Sequence, residues 1–266
     1  MSGVDRWGKS YAILADGCSG SPDTDFGSRF LVRSALWALN QVKEPGFPAS
    51  GIHTTAISLA SQMASSCNVD FGCLDATLLM AVEGESQDRK GVWVSVFGDG
   101  MVVARHRDTK HQAIYSFDFA SGYPAYLSYV LDIERLKAYV KHTQGLPATL
   151  NIFGHEGSVS TPFPFFDLSA TYWTNPFCVF FPEDKFDVVA LFSDGIESFE
   201  KMKDGDPSLS EADMASYVST VAGEFMSFKG CLGEFVVRRA KKAITKFREM
   251  GYTHADDFSM AAIHMG

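Results

Sequence analysis

Long hydrophobic runs are missing from this sequence of 266 residues: no apolar stretch approaches the roughly 20 residues that a membrane-spanning helix requires. The N-terminus also lacks the charged and apolar regions of a secretory signal, so a soluble protein with no membrane partner is expected. Cysteine is scarce. The five present, Cys18, Cys67, Cys73, Cys178 and Cys231, form no CxxC pair, and their odd number suits a reducing compartment, with the cytoplasm as the default. Basic residues are outnumbered, 23 Lys and Arg against 32 Asp and Glu, for a net charge of -9. That balance argues against a nucleic-acid partner, which needs clustered cations. The short run Arg238, Arg239, Lys241, Lys242 reads as the solvated face of a helix. There is no internal repeat and no low-complexity segment.

What the chain does have is apolar content, 46% of residues, enough for one large core, and one domain over 1–266 is expected. Short apolar runs bounded by Gly and Asp read as strands: Tyr11 to Ala15, Ala76 to Val82, Val92 to Phe97, Met101 to Ala104, Val188 to Phe192 and Met260 to Ile263. The two runs flanking Gly98-Asp99-Gly100 suggest a hairpin, because Asp-Gly suits a tight turn. Helical spacing appears from about Thr24 to Val42, from Thr54 to Ser66, around Ala125 to Val140 and from Gly233 to Met250. A further helix is expected after Pro207, where Ser208 and Glu211 have capping-box spacing and Met214, Tyr217, Val218, Val221 and Phe225 share one face. Strands and helices that do not alternate strictly indicate an α+β arrangement with antiparallel sheets. The stretch from Ser121 to Leu168 reads as a lid or insertion, and a monomer is expected.

Acidic residues follow the strands in a recurring way. Asp16 ends YAILADG, Asp99 ends VSVFGDG and Asp194 ends VVALFSDG, while Asp256 and Asp257 precede FSMAAI. Each Asp-Gly alone is a common turn dipeptide. Together, the strand ends of packed sheets can bring these carboxylates to one edge, where their repulsion calls for protons or cations. The recurrent ligand is a hard oxygen, which favours Mg²⁺ or Mn²⁺ over Zn²⁺. The Gly after Asp16, Asp99 and Asp194 permits close backbone approach, so that a carbonyl can serve as a ligand.

The ordered set of motifs resembles the metal-dependent protein phosphatases of type 2C, in particular bacterial members. The resemblance rests on Asp5, on ADG at 15–17, on DATLL at 75–79, on FGDG at 97–100, on LFSDG at 191–195 and on ADDFSMAAI from Ala255. It implies a four-layer αββα sandwich, two antiparallel β-sheets flanked by helices, with a binuclear Mn²⁺ or Mg²⁺ centre. It also implies that Asp16 bridges the metals, that Gly17 offers its carbonyl, and that Asp194 and Asp256 complete the shell as catalytic metal ligands. Asp5 matches an early acidic position that holds a metal or its water, and Asp99 a position that helps hold a weaker third metal. The implied activity is hydrolysis of phosphoserine or phosphothreonine in a phosphorylated protein partner, a signalling function, by direct attack of metal-activated water.

Two departures stand out. The family's Arg shortly before the early acidic residue, which binds substrate phosphate, is missing, leaving Arg6 and Arg29 as candidates. The His that many eukaryotic members place after the first metal Asp is Cys18 here, a thiol that neighbouring carboxylates make a poor nucleophile. His53, His155 and His254 are weaker candidates, with His254 nearest in sequence to Asp256; the aromatic groups at 163–173 and 177–181 read as core or interface. The alternatives are a catalytically silent domain of the same fold that binds a signalling partner, and a phosphatase of a small phosphorylated metabolite.

Overall fold

Side-chain alternation sorts the strands into layers. In the computed structural model, residues 1–42, 51–119, 122–143, 148–154, 157–163, 177–201 and 220–266 are described. Strands β1 (Ser2–Val4), β2 (Ser10–Leu14), β3 (Leu78–Ser86), β4 (Arg89–Phe97) and β9 (Phe177–Pro182) form one antiparallel sheet in the order β1-β2-β3-β4-β9. A second holds β5 (Gly100–His106), β6 (Gln112–Phe119), β7 (Ala148–Gly154), β8 (Gly157–Phe163), β10 (Phe186–Phe192) and β13 (Met260–His264), in the order β13-β10-β5-β6-β7-β8. Strands β11 (Phe199–Lys201) and β12 (Tyr252–His254) make a separate pair.

Successive residues of a strand face opposite sides, and here both sides are covered. On β2 and β3, Tyr11, Ile13, Leu78, Met80 and Val82 pack under helices α1 (Thr24–Gln41) and α2 (Ile52–Ser66). The alternate residues Ala12, Leu14, Leu79 and Ala81 meet Val102, Ala104, Val189 and Leu191 of the other sheet. That sheet's outer face, with Met101, Val103, Val188, Ala190 and Phe192, packs against residues 221–226 and helix α4 (Phe235–Glu249). The layers therefore run helix, sheet, sheet, helix, the αββα sandwich expected. Because both faces are buried, these strands read as nearly continuous apolar runs.

Three expectations change. The hairpin around Gly98-Asp99-Gly100 does not form: β4 pairs with β3 and β9, while β5 pairs with β10 and β6. The chain crosses there from one sheet to the other, and Gly98 and Gly100 take positive φ (78° and 117°) to make the crossing. The helix expected around 125–140 is divided into a 3₁₀ segment, Leu127–Leu131, and α3, Ile133–Thr143. Asp132 causes the break, since its Oδ1 accepts from the backbone N–H groups of Glu134 (2.8 Å) and Arg135 (3.3 Å) and so starts a new helix. The expected lid also contributes β7 and β8 to the second sheet.

Arg239 departs from the solvated face assigned to its run. It is buried on α4 in line with Ala243 and Phe247, its Nε donates to the Glu224 carbonyl (2.6 Å), and it pairs with the Glu224 carboxylate. Ser208, Glu211, Met214, Tyr217, Val218 and His155 lie outside the described residues, but 220–226 are helical as expected. Among the described residues no helix is long and apolar enough to cross a membrane.

Candidate functional site

Strand ends of both sheets meet around a cavity of about 430 Å³ lined by Asp16, Asp99, Asp194 and Asp256. Each arrives by a different local device. After β2 the chain keeps its ladder alongside 75–77: Asp16 N–H donates to Thr77 Oγ1 (3.0 Å), and Thr77 N–H donates to the Asp16 carbonyl (2.8 Å). Gly17 bridges Ala76 and lines the cavity, and a side chain there would meet Thr24 at 2.6 Å. Asp99 sits at the crossing between sheets. Asp194 follows β10, where Ser193 N–H donates to the Ser259 carbonyl (3.1 Å) and Ser259 N–H donates to Ser193 Oγ (3.0 Å), drawing in the segment that carries Asp256. A Cβ on Gly195 would fall 1.9 Å from the Asp257 carbonyl oxygen, so that approach requires glycine.

The electrostatics are those of uncompensated carboxylates. Burial pushes the Asp16 carboxyl up, and Asp256 and Asp257 add to the shift against hydrogen bonds from Ser193 and Gly17. Asp194 is raised by burial, then by Asp16 and Asp256. Asp99 is pushed up to about 7 by burial, then by Asp194, with Glu197 and Asp16 adding to it. Asp16 Oδ2 and Asp99 Oδ1 are buried with no hydrogen-bond partner among the described residues. Buried oxygens of this kind are costly unless a proton or cation satisfies them, so the donor set fits hard divalent cations. Among the described residues, no group of three or more His, Cys, Asp and Glu side chains is arranged to hold an ion as it stands. Carboxylates without counter-charge repel one another, which opposes such convergence.

Asp5 is not brought to this cavity. Its Oδ1 accepts from the N–H groups of Trp7 (2.8 Å) and Lys9 (2.9 Å), closing the turn between β1 and β2. Arg6 donates to the Val42 carbonyl (2.7 Å) and lies over Trp7, and Arg29 is exposed on α1; neither lines the cavity. His254 is exposed and stacked on Phe199, and buried His53 hydrogen-bonds Ser95 (2.9 Å), its pKa lowered to about 4 by burial. Cys18 lines the cavity. None of the described lining residues is Lys, Arg or His.

Sequence reading missed the opposite wall, formed by Tyr123, Tyr126 and Tyr129, and the carboxylate that anchors it. Asp75 is buried and accepts from Ser21 (2.8 Å), Ser128 (2.6 Å) and Arg135 (2.7 Å), while its carbonyl accepts from Cys18 N–H (2.8 Å). Arg135 also lies over the Tyr129 ring at 5.3 Å. One side chain thus ties the loop after Asp16 to the tyrosine wall. Burial raises the hydroxyl pKa values of Tyr126 and Tyr129, keeping both as neutral donors. In the sequence Asp75 stood out only as the first residue of the DATLL motif at 75–79, with nothing to show its partners.

Residues 2–122 match the family model described as Protein phosphatase 2C. No curated protein matches the chain by sequence. A crystal structure of a bacterial serine phosphatase bearing a single Arg-to-Lys mutation is 10% identical, with 100% of this chain and 91% of that one covered, at a TM-score of 0.53. A second structure described as a bacterial serine phosphatase is 10% identical, covers 100% and 92%, and has a TM-score of 0.50. The serine/threonine phosphatase Stp1 from Staphylococcus aureus is 11% identical over 99% of this chain and 88% of that one, with a TM-score of 0.49. The sequence over residues 2–122 is thus similar to protein phosphatase 2C, and the fold over the whole chain is similar to that of bacterial serine phosphatases.

Proposed function

We propose that the chain is a Mn²⁺- or Mg²⁺-dependent phosphatase of phosphoserine or phosphothreonine in proteins, working as one phosphatase domain. The observation that carries this reading is the cavity shared by Asp16, Asp99, Asp194 and Asp256, with two buried carboxylate oxygens that lack a partner among the described residues. Asp16 would bridge two cations, with the Gly17 carbonyl, Asp194 and Asp256 around them and Asp99 beside a weaker third. Divalent cations held there would supply a nucleophilic water near neutral pH and neutralise charge on the phosphoryl oxygens.

The chain's own groups define the rest. Asp99, pushed up to about 7, would be only partly ionised near neutral pH whenever no cation lies beside it. Tyr126 and Tyr129, as neutral donors, can hydrogen-bond phosphoryl oxygens without adding charge. Cys18 is assigned no nucleophilic role, since its thiolate would stand among carboxylates.

A second reading, a silent domain that binds a signalling partner, is favoured by the lack of any Lys, Arg or His among the described lining residues. Hydrolysis of a chromogenic phosphate ester with Mn²⁺, with and without chelator, separates the two. Activity that chelator and Asp16→Asn each abolish supports the enzyme; activity surviving both overturns the metal account, and an inactive parent favours the binding domain. A phosphopeptide panel set against phosphorylated metabolites then tests the substrate class.

A further inference from the structure

The end of the second sheet remote from the carboxylates carries the opposite charge. Arg105 is the penultimate residue of β5, Gln112 opens β6 and His264 closes β13, whereas Asp99 and Asp194 lie at the other ends of β5 and β10. Strands of this length hold the two ends about 20 Å apart, at ~3.3 Å per residue. Arg105, Lys110, Gln112, Ser227, Lys229 and His264 line a cavity of about 680 Å³ there, together with Phe228 and Leu232.

Two of its cations are held in place by one buried carboxylate. Asp187 accepts from Arg105 Nε (2.8 Å) and Nη2 (3.1 Å) and from Lys110 Nζ (2.7 Å), while Arg105 Nη1 donates to the Met226 carbonyl (3.2 Å). One negative charge therefore faces two positive ones. Lys229, exposed on the loop before α4, adds a third and has no ion-pair partner among the described residues. His264 registers this field: burial lowers its pKa first, and Arg105, Arg107 and Lys110 lower it further against Asp187. The excess of cations stands out in a chain of net charge -9.

The walls add a second requirement. The Arg105 guanidinium lies 5.9 Å from the Phe228 ring centre, and Leu232 is 85% exposed at the rim. Fixed cations beside an aromatic face, with a hydroxyl and an amide in reach, suit an anion joined to an apolar ring. The volume falls within the ~300–1,000 Å³ usual for small-ligand sites.

We propose that this cavity is a second binding site, separate from the acidic one, for a small organic phosphate whose phosphate meets Lys229, Lys110 and Arg105 and whose ring packs on Phe228. The site does not depend on the phosphatase reading. The test is isothermal titration of adenosine monophosphate into the full chain in chelator, where the acidic cavity repels anions and no metal-dependent hydrolysis occurs. Saturable binding at one site per chain is expected, weaker for adenosine, lowered at least about tenfold by the charge reversal Lys229→Glu and unchanged by Asp16→Asn. Lys229 is exposed, so the variant should melt as the parent does. No saturable binding at millimolar nucleotide, equal affinity in Lys229→Glu, or loss in Asp16→Asn alone would each overturn the proposal.

Discussion

Asp99, just before β5, and Asp187, near the start of the adjoining β10, lie at opposite ends of one sheet, and their carboxyls shift in opposite directions. Burial opposes ionisation of both. At Asp187 the hydrogen bonds and charges of Arg105 and Lys110 outweigh burial and hold the pKa below the ordinary range. At Asp99 the nearest charges are more carboxylates, and the pKa rises to about 7. Among the described residues, a buried acid is neutralised at one end of the sandwich and several are left without a basic neighbour at the other. The lesson is that, among the described residues, the two ends treat buried acids in opposite ways, and only the acidic end leaves room for a counter-charge from outside the chain.

Removing the cationic end's anchor should have the largest effect on stability. Asp187→Ala strands Arg105 against a low-dielectric wall, and a loss of about 3–5 kcal/mol is expected by urea denaturation. A loss under about 1 kcal/mol would mean that the pair is solvated and that the contrast between the two ends is false.

The acidic end should behave in the reverse sense. In metal-free protein, Asp99 has a folded pKa near 7 against an unfolded value of about 3.9. Its neutral form is therefore compatible with folding at low pH, and stability is lost as pH rises from about 4 to 7. Asp99→Asn removes that loss. Its stability relative to the parent should grow across this window by on the order of 4 kcal/mol and level off above it. The comparison with the parent matters because buried His53, with its lowered pKa, contributes the opposite slope over part of the same range. A gap between variant and parent that is flat with pH would contradict the assignment.

A smaller effect is expected at Asp75, which is neutralised by Arg135 yet borders the acidic cavity through Ser21. Asp75→Asn keeps the shape and loses the charge, for about 1–2 kcal/mol of stability. If the tyrosine wall receives substrate, KM should rise several-fold with kcat less affected; equal loss of both would place Asp75 with the cation-binding groups instead.

The sequence was most readable where period and position are local. Helices α1 and α2 follow their apolar spacing within a few residues, and the strands follow their apolar runs because both faces are covered. Asp16, Asp99, Asp194 and Asp256 were legible as a set because each stands beside an apolar strand, and the cavity unites them. The supposed hairpin at Asp99 failed because a Gly-Asp-Gly turn looks the same whether the chain reverses within a sheet or crosses to another. Asp75, Ser128 and Arg135 were not legible as partners: their contacts span more than 50 positions and depend on how 122–135 folds over the loop after Asp16. Asp5 shows the converse. Its place in the motif order suggested a metal, but its carboxylate closes a local turn.

The acidic end can be tested most directly by melting the parent chain in chelator and in Mn²⁺, and repeating both scans for Asp194→Asn. If the carboxylates form a metal centre, Mn²⁺ raises the parent's Tm by several degrees, as a ligand bound only by the folded state must, and moves the variant's far less. A parent Tm indifferent to both Mn²⁺ and Mg²⁺, or an equal rise in parent and variant, would contradict it.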